Sequence, residues 1–301
     1  MGFKRMLGAF GVGGPSVDTV LTSSDTVPGG ALSGHVDLVG GNHDVEIEHV
    51  TLGLVTRVEV EGGSGEYAAR GEFHRVGVSG PMRLAEGQRM SLPFEFLMPW
   101  ETPITTVYGQ RLHGMTMGVR TEVAVAKAVD KGDLDPVSVH PLPLQERILE
   151  AFARLGFGFK HADLEYGQIV GVHQTLPFYQ EIEYYPPAQY AHSMNEVELT
   201  FVTNPHAVEV VLEFDKRGGG HDSYGRYTVP HADADAVDWA EVVDGWIRES
   251  MPAVGHGHGY SHGHHGAGMG GVAAGVVGGL AAGYVAGEVM DEVFDAFEDD
   301  D

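Results

Sequence analysis

The stretch between residues 50 and 60 places an apolar or β-branched side chain at every second position. Side chains alternate across a β-strand, so this pattern predicts a long, half-buried strand. Val45 and Ile47 fall on the opposite phase, which predicts a β-bulge near His49. Such a strand commits this part of the chain to a sheet.

The same alternation returns in several other segments, with glycine and proline turns between them, and gives two β regions at 15–129 and 157–230. Strands without intervening helices are typical of antiparallel sandwiches. We therefore predict a mainly β fold with two antiparallel β-sandwich domains and a few short helices. The predicted order is an N-terminal sandwich at 1–130, a linker at 131–143 where Asp, Gly and Pro cluster, a C-terminal sandwich with amphipathic helices at 144–252, and a low-complexity tail at 253–301.

Two helical patterns accompany the second β region. Leu144, Ile148 and Phe152 share one face of a helix predicted over residues 144–155. Trp239 and Trp246 share the apolar stripe of a second helix, and both rings are expected to be buried. Another short apolar pattern at residues 3–10 predicts a terminal helix that docks on the protein's own core or binds a membrane surface or partner.

Acidic residues crowd the start of the second helix, at Asp233, Asp235 and Asp238. The run begins like a calcium loop but lacks the glycine that such a loop needs at its turn. Negative charge in a first helical turn is favoured by the helix dipole, so a helix-capping turn is the preferred interpretation.

Charge and motif content restrict the function. The chain has 43 acidic and 18 basic residues and a net charge of −25, which argues against nucleic acid and against electrostatic docking on anionic lipid. Cysteine is absent, so disulfides and thiolate chemistry are excluded and a reducing cytoplasm is favoured. The motif search finds no hydrolase, zinc-protease or phosphate-loop pattern, so we expect no enzyme activity and no cofactor.

The tail carries two patterns that need separate interpretations. Five imidazoles in a short glycine-rich segment can bind Zn²⁺, Ni²⁺ or Cu²⁺, or the segment is a solubilising spacer; they are His256, His258, His262, His264 and His265. The other histidines lie on separate elements without ligand spacing, and each is interpreted as a surface or hydrogen-bonded residue.

Glycine at every fourth position of the tail gives one smooth helix edge, at Gly271, Gly275, Gly279, Gly283 and Gly287. Small residues at this spacing let two helices approach closely, so we predict a conditional self-association helix, formed in a homo-oligomer or at a membrane. A plain disordered tail is the alternative, because each glycine in a helix costs about 1 kcal/mol relative to alanine.

Several strand segments are more specific than their periodicity. They include VDTVLTSSDTVPGGALSGHVDLVGG, SLPFEFLMPWETPIT, GVRTEVAVAKAVDKGDLDPVSVHPLP, LGFGFKHADLEYG, QTLPFYQEIEYYPP and EVELTFVTNPHAVEVVLEFDKRGG. In this order they resemble the sporulation-control protein family, SpoOM, over about residues 1–250. The resemblance implies an arrestin-like fold of two β-sandwiches joined end to end, a role in the control of sporulation, and no catalytic residues.

We therefore expect a non-enzymatic, cytoplasmic regulator of sporulation or developmental cell division that acts by binding unidentified proteins. The alternative is an arrestin-like scaffold that self-assembles or lies peripherally at a membrane, anchored through its C-terminal tail. A hidden hydrolytic or metal site is the remaining enzyme hypothesis. Arrestin-like sandwiches act through edges, loops and the groove between domains, and an extended peptide can add to an exposed edge strand.

Overall fold

The computed structural model describes residues 13–62, 65–126, 131–216 and 223–251. Within these ranges the protein is mainly β, with antiparallel sheets and two α-helices, which confirms the predicted fold class. We call residues 13–142 the N-terminal half and residues 143–251 the C-terminal half. The predicted helix at 3–10 and the whole tail lie outside the described residues.

The N-terminal half is built from strands of very different lengths. In chain order they are β1 Ser16–Leu21, β2 Asp25–Thr26, β3 Ala31–Val39, β4 Val45–Gly62, β5 Gly65–Ser79, β6 Met82–Leu84, β7 Arg89–Leu97, β8 Thr106–Val107, β9 Gln110–Arg111, β10 Met117–Val125, β11 Lys131–Pro136 and β12 Ser138–Val139.

These strands form two main antiparallel sheets around one core. In the smaller sheet β3 lies between β1 and β7, and in the larger sheet β4 lies between β10 and β5, with β11 beyond β10. The alternating apolar positions of both sheets are buried in one cluster, which includes Leu32, Val36, Leu38, Val50, Leu52, Leu54, Val119 and Val123. Burial of one face per strand is what the period of two predicts.

The expected irregularity in β4 is present. Ala124 of β10 pairs with His49, whereas the next residue, Val125, pairs with Ile47, so Glu48 is an extra residue in β4. This bulge returns Ile47 to the buried face beside Val50, and both side chains are at most 1% exposed. The opposite phases seen in the sequence therefore meet at a β-bulge, which confirms that prediction.

The segment predicted as a linker, 131–143, is instead largely ordered into strands. Residues 131–136 form β11 along β10, and β12 pairs in parallel with β2. Asp133 accounts for part of the difference, because its carboxylate accepts hydrogen bonds from the Thr19 and Leu134 amides at 2.7 and 3.0 Å. Asp133 belongs to a residue type that is common in turns, but here its contact with the Thr19 amide holds β11 against β1.

The C-terminal half begins with a helix and continues as a single antiparallel run of strands. Its elements are α1 Pro143–Arg154, β13 Gly158–Tyr166, β14 Phe178–Tyr185, β15 Met194–Thr203, β16 Ala207–Lys216, β17 Ser223–Pro230, a short 3₁₀ helix His231–Asp233 and α2 Trp239–Ser250. Each strand pairs with the next in chain order. The buried side of this sheet shares its core with apolar side chains of both helices.

Local sequence sets the ends of α1. Pro143 occupies the first turn, where its missing amide hydrogen is no loss, and the Gln145 side chain accepts a hydrogen bond from the Leu142 amide at 2.8 Å. Gly156 ends the helix with a φ of +88°, a conformation that glycine adopts without strain. The predicted apolar face is buried, with Phe152 stacked on Tyr184 at a ring separation of 4.9 Å.

In α2 the two tryptophans differ. Trp239 is 5% exposed and its indole donates to the Ala234 carbonyl, as its predicted burial requires. Trp246 is only half-buried, so its predicted burial is wrong; its ring stacks on Tyr227 at 4.3 Å beside the last strand. Asp238 caps the helix by accepting from the Ala240 amide at 3.0 Å, which confirms the helix-capping interpretation.

Hydrogen bonds and strand pairing join the two halves. β13 pairs in parallel with the far end of β4, where Glu165 lies opposite Glu59, so one sheet runs through both halves. The buried Gln180 side chain accepts from the Ile104 amide at 3.0 Å and donates to the Ile104 carbonyl at 2.8 Å. The Glu101 carboxylate accepts from the Thr175 and Leu176 amides. The outward face of the C-terminal sheet is thereby fixed relative to the N-terminal half.

Candidate functional site: the carboxylate face

The outward side of β13–β16 carries nine carboxylates. Seven of them lie around Glu181 and Glu198, and we call these the carboxylate face: Asp163, Glu165, Glu181, Glu183, Glu196, Glu198 and Glu213. They alternate with buried apolar residues, as in β14, where Ile182 is 1% exposed between two glutamates, and in β15, where Val197 is fully buried. The same period of two that builds the core therefore places these acids together on the other side of the sheet.

Strand register brings like charges directly opposite one another. Glu183 of β14 lies opposite Glu198 of β15, and Glu198 lies opposite Glu213 of β16. The row ends at β17, where Tyr224 lies opposite Glu213 and its hydroxyl donates to that carboxylate at 2.5 Å. Like charges at directly opposed positions destabilise a sheet, so this row needs protons or cations to balance it.

Protons supply part of that balance. Burial, followed by the charges of Glu198 and Asp163, raises the pKa of the Glu181 carboxyl to about 9. Burial, followed by the charges of Glu213 and Glu183, raises the pKa of Glu198 to about 8. Both groups are therefore mainly protonated at neutral pH, because desolvation and nearby like charges disfavour the ionised form.

A lysine side chain supplies a second part of this charge balance. Lys160 at the start of β13 donates to both Glu183 and Glu196, so it ties β13, β14 and β15 together on this face. Asp163, Glu165 and Glu181 place carboxylate oxygens within 4.8 Å of one another, and Glu181, Glu198 and Glu213 form a second such group. Oxygen clusters of this kind suit hard cations in principle. The high pKa of Glu181, shared by both clusters, indicates that protons compete for the same positions.

Sequence reasoning did not single out this face. The alternating acids of EIE and EVE were visible in the sequence, but their opposition depends on register between strands that are fifteen or more residues apart. A cavity at the junction between the halves, lined by residues that include Trp100, Glu101 and Gln180, has a volume of only about 10 Å³. That space holds about one water molecule, so this cavity does not suit a larger ligand.

The predicted tail sites, His256, His258, His262, His264 and His265, and the glycine edge from Gly271 to Gly287, lie outside the described residues and stay predictions. Among the described histidines, one pair makes a contact that the sequence did not predict. His113 and His161 place their Nδ1 atoms 3.4 Å apart. These residues are 48 positions apart in the chain, so the spacing of histidines in the sequence did not predict the contact.

Both α1 and α2 fall short of the length and apolarity that a helix across a bilayer needs.

The fold and face define a class of protein: mainly β, built from antiparallel sheets, with a cluster of carboxylates on one sheet surface. Comparison with known proteins then identifies the family. The family model described as SpoOM protein matches residues 3–218, and the chain belongs to the SpoOM family. The resemblance inferred from the strand motifs is confirmed.

Known relatives agree with this assignment. The chain is 32% identical to the sporulation-control protein spo0M of Bacillus subtilis (strain 168) over 219 residues, which cover 72% of this chain and 82% of that protein. The crystal structure of Spo0M, sporulation control protein, from Bacillus subtilis matches with a TM-score of 0.69 at 26% identity, covering 79% of this chain and 100% of that chain. The family is thus one of sporulation-control proteins.

Proposed function

We propose that this protein is a non-enzymatic, cytoplasmic regulator of sporulation or developmental cell division that binds a basic, extended segment of another protein on the carboxylate face. The family assignment supports the regulatory role. The observation that carries the binding mode is the row of Glu183, Glu198 and Glu213 in direct cross-strand opposition.

At neutral pH the proton on Glu198 and the contact of Lys160 with Glu183 balance this row, and a cationic partner could take the place of the proton. Glutamates held partly in the protonated form by burial and mutual repulsion respond strongly to a new positive charge. A basic segment lying across β14–β16 would favour the ionised form of Glu181 and Glu198 and lower the pKa of each. Groups whose pKa is strongly perturbed are enriched at functional sites, which supports a binding role for this surface.

The neighbouring sheet edge suits an extended partner. Among the described strands β17 pairs with β16 alone, so no described strand occupies its other edge. Tyr224 on β17 is 49% exposed and joins this edge to the carboxylate face through Glu213. Addition of a strand at an edge provides main-chain hydrogen bonds, and basic side chains of the added strand would complement the face.

The test compares three full-length chains as bait in extracts of sporulating cells. The first is wild type, the second carries Glu198→Lys and Glu213→Lys, and the third carries Glu86→Lys and Glu95→Lys on exposed positions of the N-terminal half. All lysine variants change the formal charge equally. We expect a protein that wild type and the N-terminal variant retain and that the face variant loses, with retention falling as salt rises.

A purified partner permits a second, sharper measurement. Binding of basic groups should release protons from Glu181 and Glu198, so the calorimetric heat at pH 7.5 should differ between buffers of different ionisation enthalpy. Equal capture by wild type and the face variant, or heats that do not depend on the buffer, would contradict the proposed binding mode.

A further inference from the structure

The contact between His113 and His161 lies at the junction of the two halves. His113 follows β9 in the N-terminal half, and His161 is in β13 of the C-terminal half. Their Nδ1 atoms are 3.4 Å apart and their ring centroids 5.5 Å apart, with the rings inclined at 60°. The two rings therefore approach each other through the same nitrogen.

Backbone geometry holds this arrangement in place. Gly114, directly after His113, has a φ of +92°, a region that favours glycine. A Cβ at this position would lie 2.2 Å from the Ala162 carbonyl oxygen and 2.5 Å from Cε1 of His161. Only a residue without a side chain lets the loop approach β13 this closely, so the approach of the two imidazoles is built into the fold.

The second nitrogen of His161 faces a carboxylate. Its Nε2 lies 4.0 Å from Oδ2 of Asp163, whose side chain is 13% exposed. A hydrogen on Nε2 would face this carboxylate and would leave the Nδ1 lone pair of His161 on the side of His113. Metal-binding histidines commonly have this arrangement, in which an acidic group orients the ring through its other nitrogen.

The separation of the two Nδ1 atoms matches metal coordination. Two imidazoles bound to tetrahedral zinc at about 2.0–2.1 Å have their nitrogens about 3.3–3.4 Å apart. We propose that His113 and His161 bind a divalent first-row metal ion, with zinc as the reference case, through their Nδ1 atoms. Asp163 is the positioning residue for His161, and water completes the coordination.

A metal at this position would join the halves directly. The ion would connect the loop that precedes β10 to β13, beside the hydrogen bonds of Gln180 to Ile104. A ligand that binds only the folded chain stabilises it, so zinc should raise the unfolding temperature through this contact.

The experiment uses the full chain, purified without a histidine tag, in which the five tail histidines are replaced by asparagine. Zinc alone is titrated by calorimetry into this parent, into the parent with His113→Asn, and into the parent with His161→Asn. We expect a single zinc ion per parent chain and affinity lowered by more than about tenfold in either variant. His113 is exposed, so His113→Asn is compatible with folding.

The matched control is His140→Asn, which removes an imidazole that lies 2.8 Å from the Asp25 carboxylate. Its zinc affinity should equal that of the parent. Nitrogen-15 spectra of the imidazoles supply a second readout, in which zinc shifts the Nδ1 signals of His113 and His161. A parent that binds no zinc, or a His113→Asn variant that binds as the parent does, would show that the pair is an imidazole–imidazole hydrogen bond only.

Discussion

The two ends of the continuous sheet balance their outward charges in different ways. In the N-terminal half Glu72 accepts hydrogen bonds from Arg75 and Arg120, each at 2.6 Å, and Glu122 lies 3.4 Å from Arg75. Acids and arginines alternate there within one network. Arginine keeps its charge at every accessible pH, so this balance does not depend on protons.

In the C-terminal half the carboxylates outnumber their cationic partners. Lys160 binds Glu183 and Glu196, whereas Glu181 and Glu198 have pKa values raised to about 9 and 8. The comparison shows that one sheet can balance the negative charge of its acidic side chains with arginines at one end and with bound protons at the other. Only the second solution can be changed by a basic partner or by an ordinary change of pH.

The largest expected effect tests whether the two regions unfold together. Gln180→Met removes the side chain that satisfies the buried amide and carbonyl of Ile104. Unsatisfied buried polar groups cost about 1–3 kcal/mol each, so we expect the free energy of unfolding to fall by about 2–5 kcal/mol.

Urea unfolding followed by fluorescence and circular dichroism measures this effect. The exposed Gln189→Met is the control and should change stability little. If the Gln180 variant is as stable as the control, the junction does not couple the two ends of the sheet.

The next prediction concerns the carboxylate face, where we expect a substitution to raise the free energy of unfolding. Glu181→Gln mimics the protonated carboxyl, so at pH 8 we expect the free energy of unfolding to rise by about 1–3 kcal/mol. The gain should shrink toward zero as pH falls below 4.5, where the carboxyl also becomes protonated in the unfolded chain. Denaturant titrations at both pH values measure this gain, and Glu95→Gln at an exposed position is the control. If Glu181→Gln lowers the free energy of unfolding at pH 8, protons do not balance the charges of the carboxylate face.

A smaller effect is expected at the arginine-balanced end. Arg120→Met leaves Glu72 with one arginine and should destabilise the protein by about 1–2 kcal/mol at pH 7 and low salt. The groups are partly exposed, so the loss should shrink as salt rises. The control is Arg89→Met, which changes an exposed residue of β7. A stability gain in Arg120→Met would mean that the network is not a favourable charge balance.

The sequence was most informative where interactions are local. Alternation along β4 predicted both the strand and a bulge near His49, which the structure places at Glu48, and the apolar face of residues 144–155 predicted α1. The acidic turn was correctly assigned to capping because Asp238 acts on its own helix. Each of these features is set by neighbours a few positions away.

Features that depend on distant neighbours were missed. The order in β11 rests on Thr19, whose amide donates to Asp133 across 114 positions, so the segment resembled a linker. Trp246 shares the stripe of Trp239, but it packs on Tyr227 at the side of the core. The carboxylate face and the histidine pair require register and loop placement that periodicity alone does not provide.

The pH dependence of unfolding tests the central claim that protons balance the carboxylate face. Folded-state pKa values above the unfolded values give stability that is fully present at low pH and is lost as pH rises through about 8 and 9. Wild type should therefore lose stability progressively from about pH 4.5 up to about pH 8 to 9, and Glu181→Gln with Glu198→Gln should flatten that slope. A double variant that keeps the wild-type slope would contradict the account.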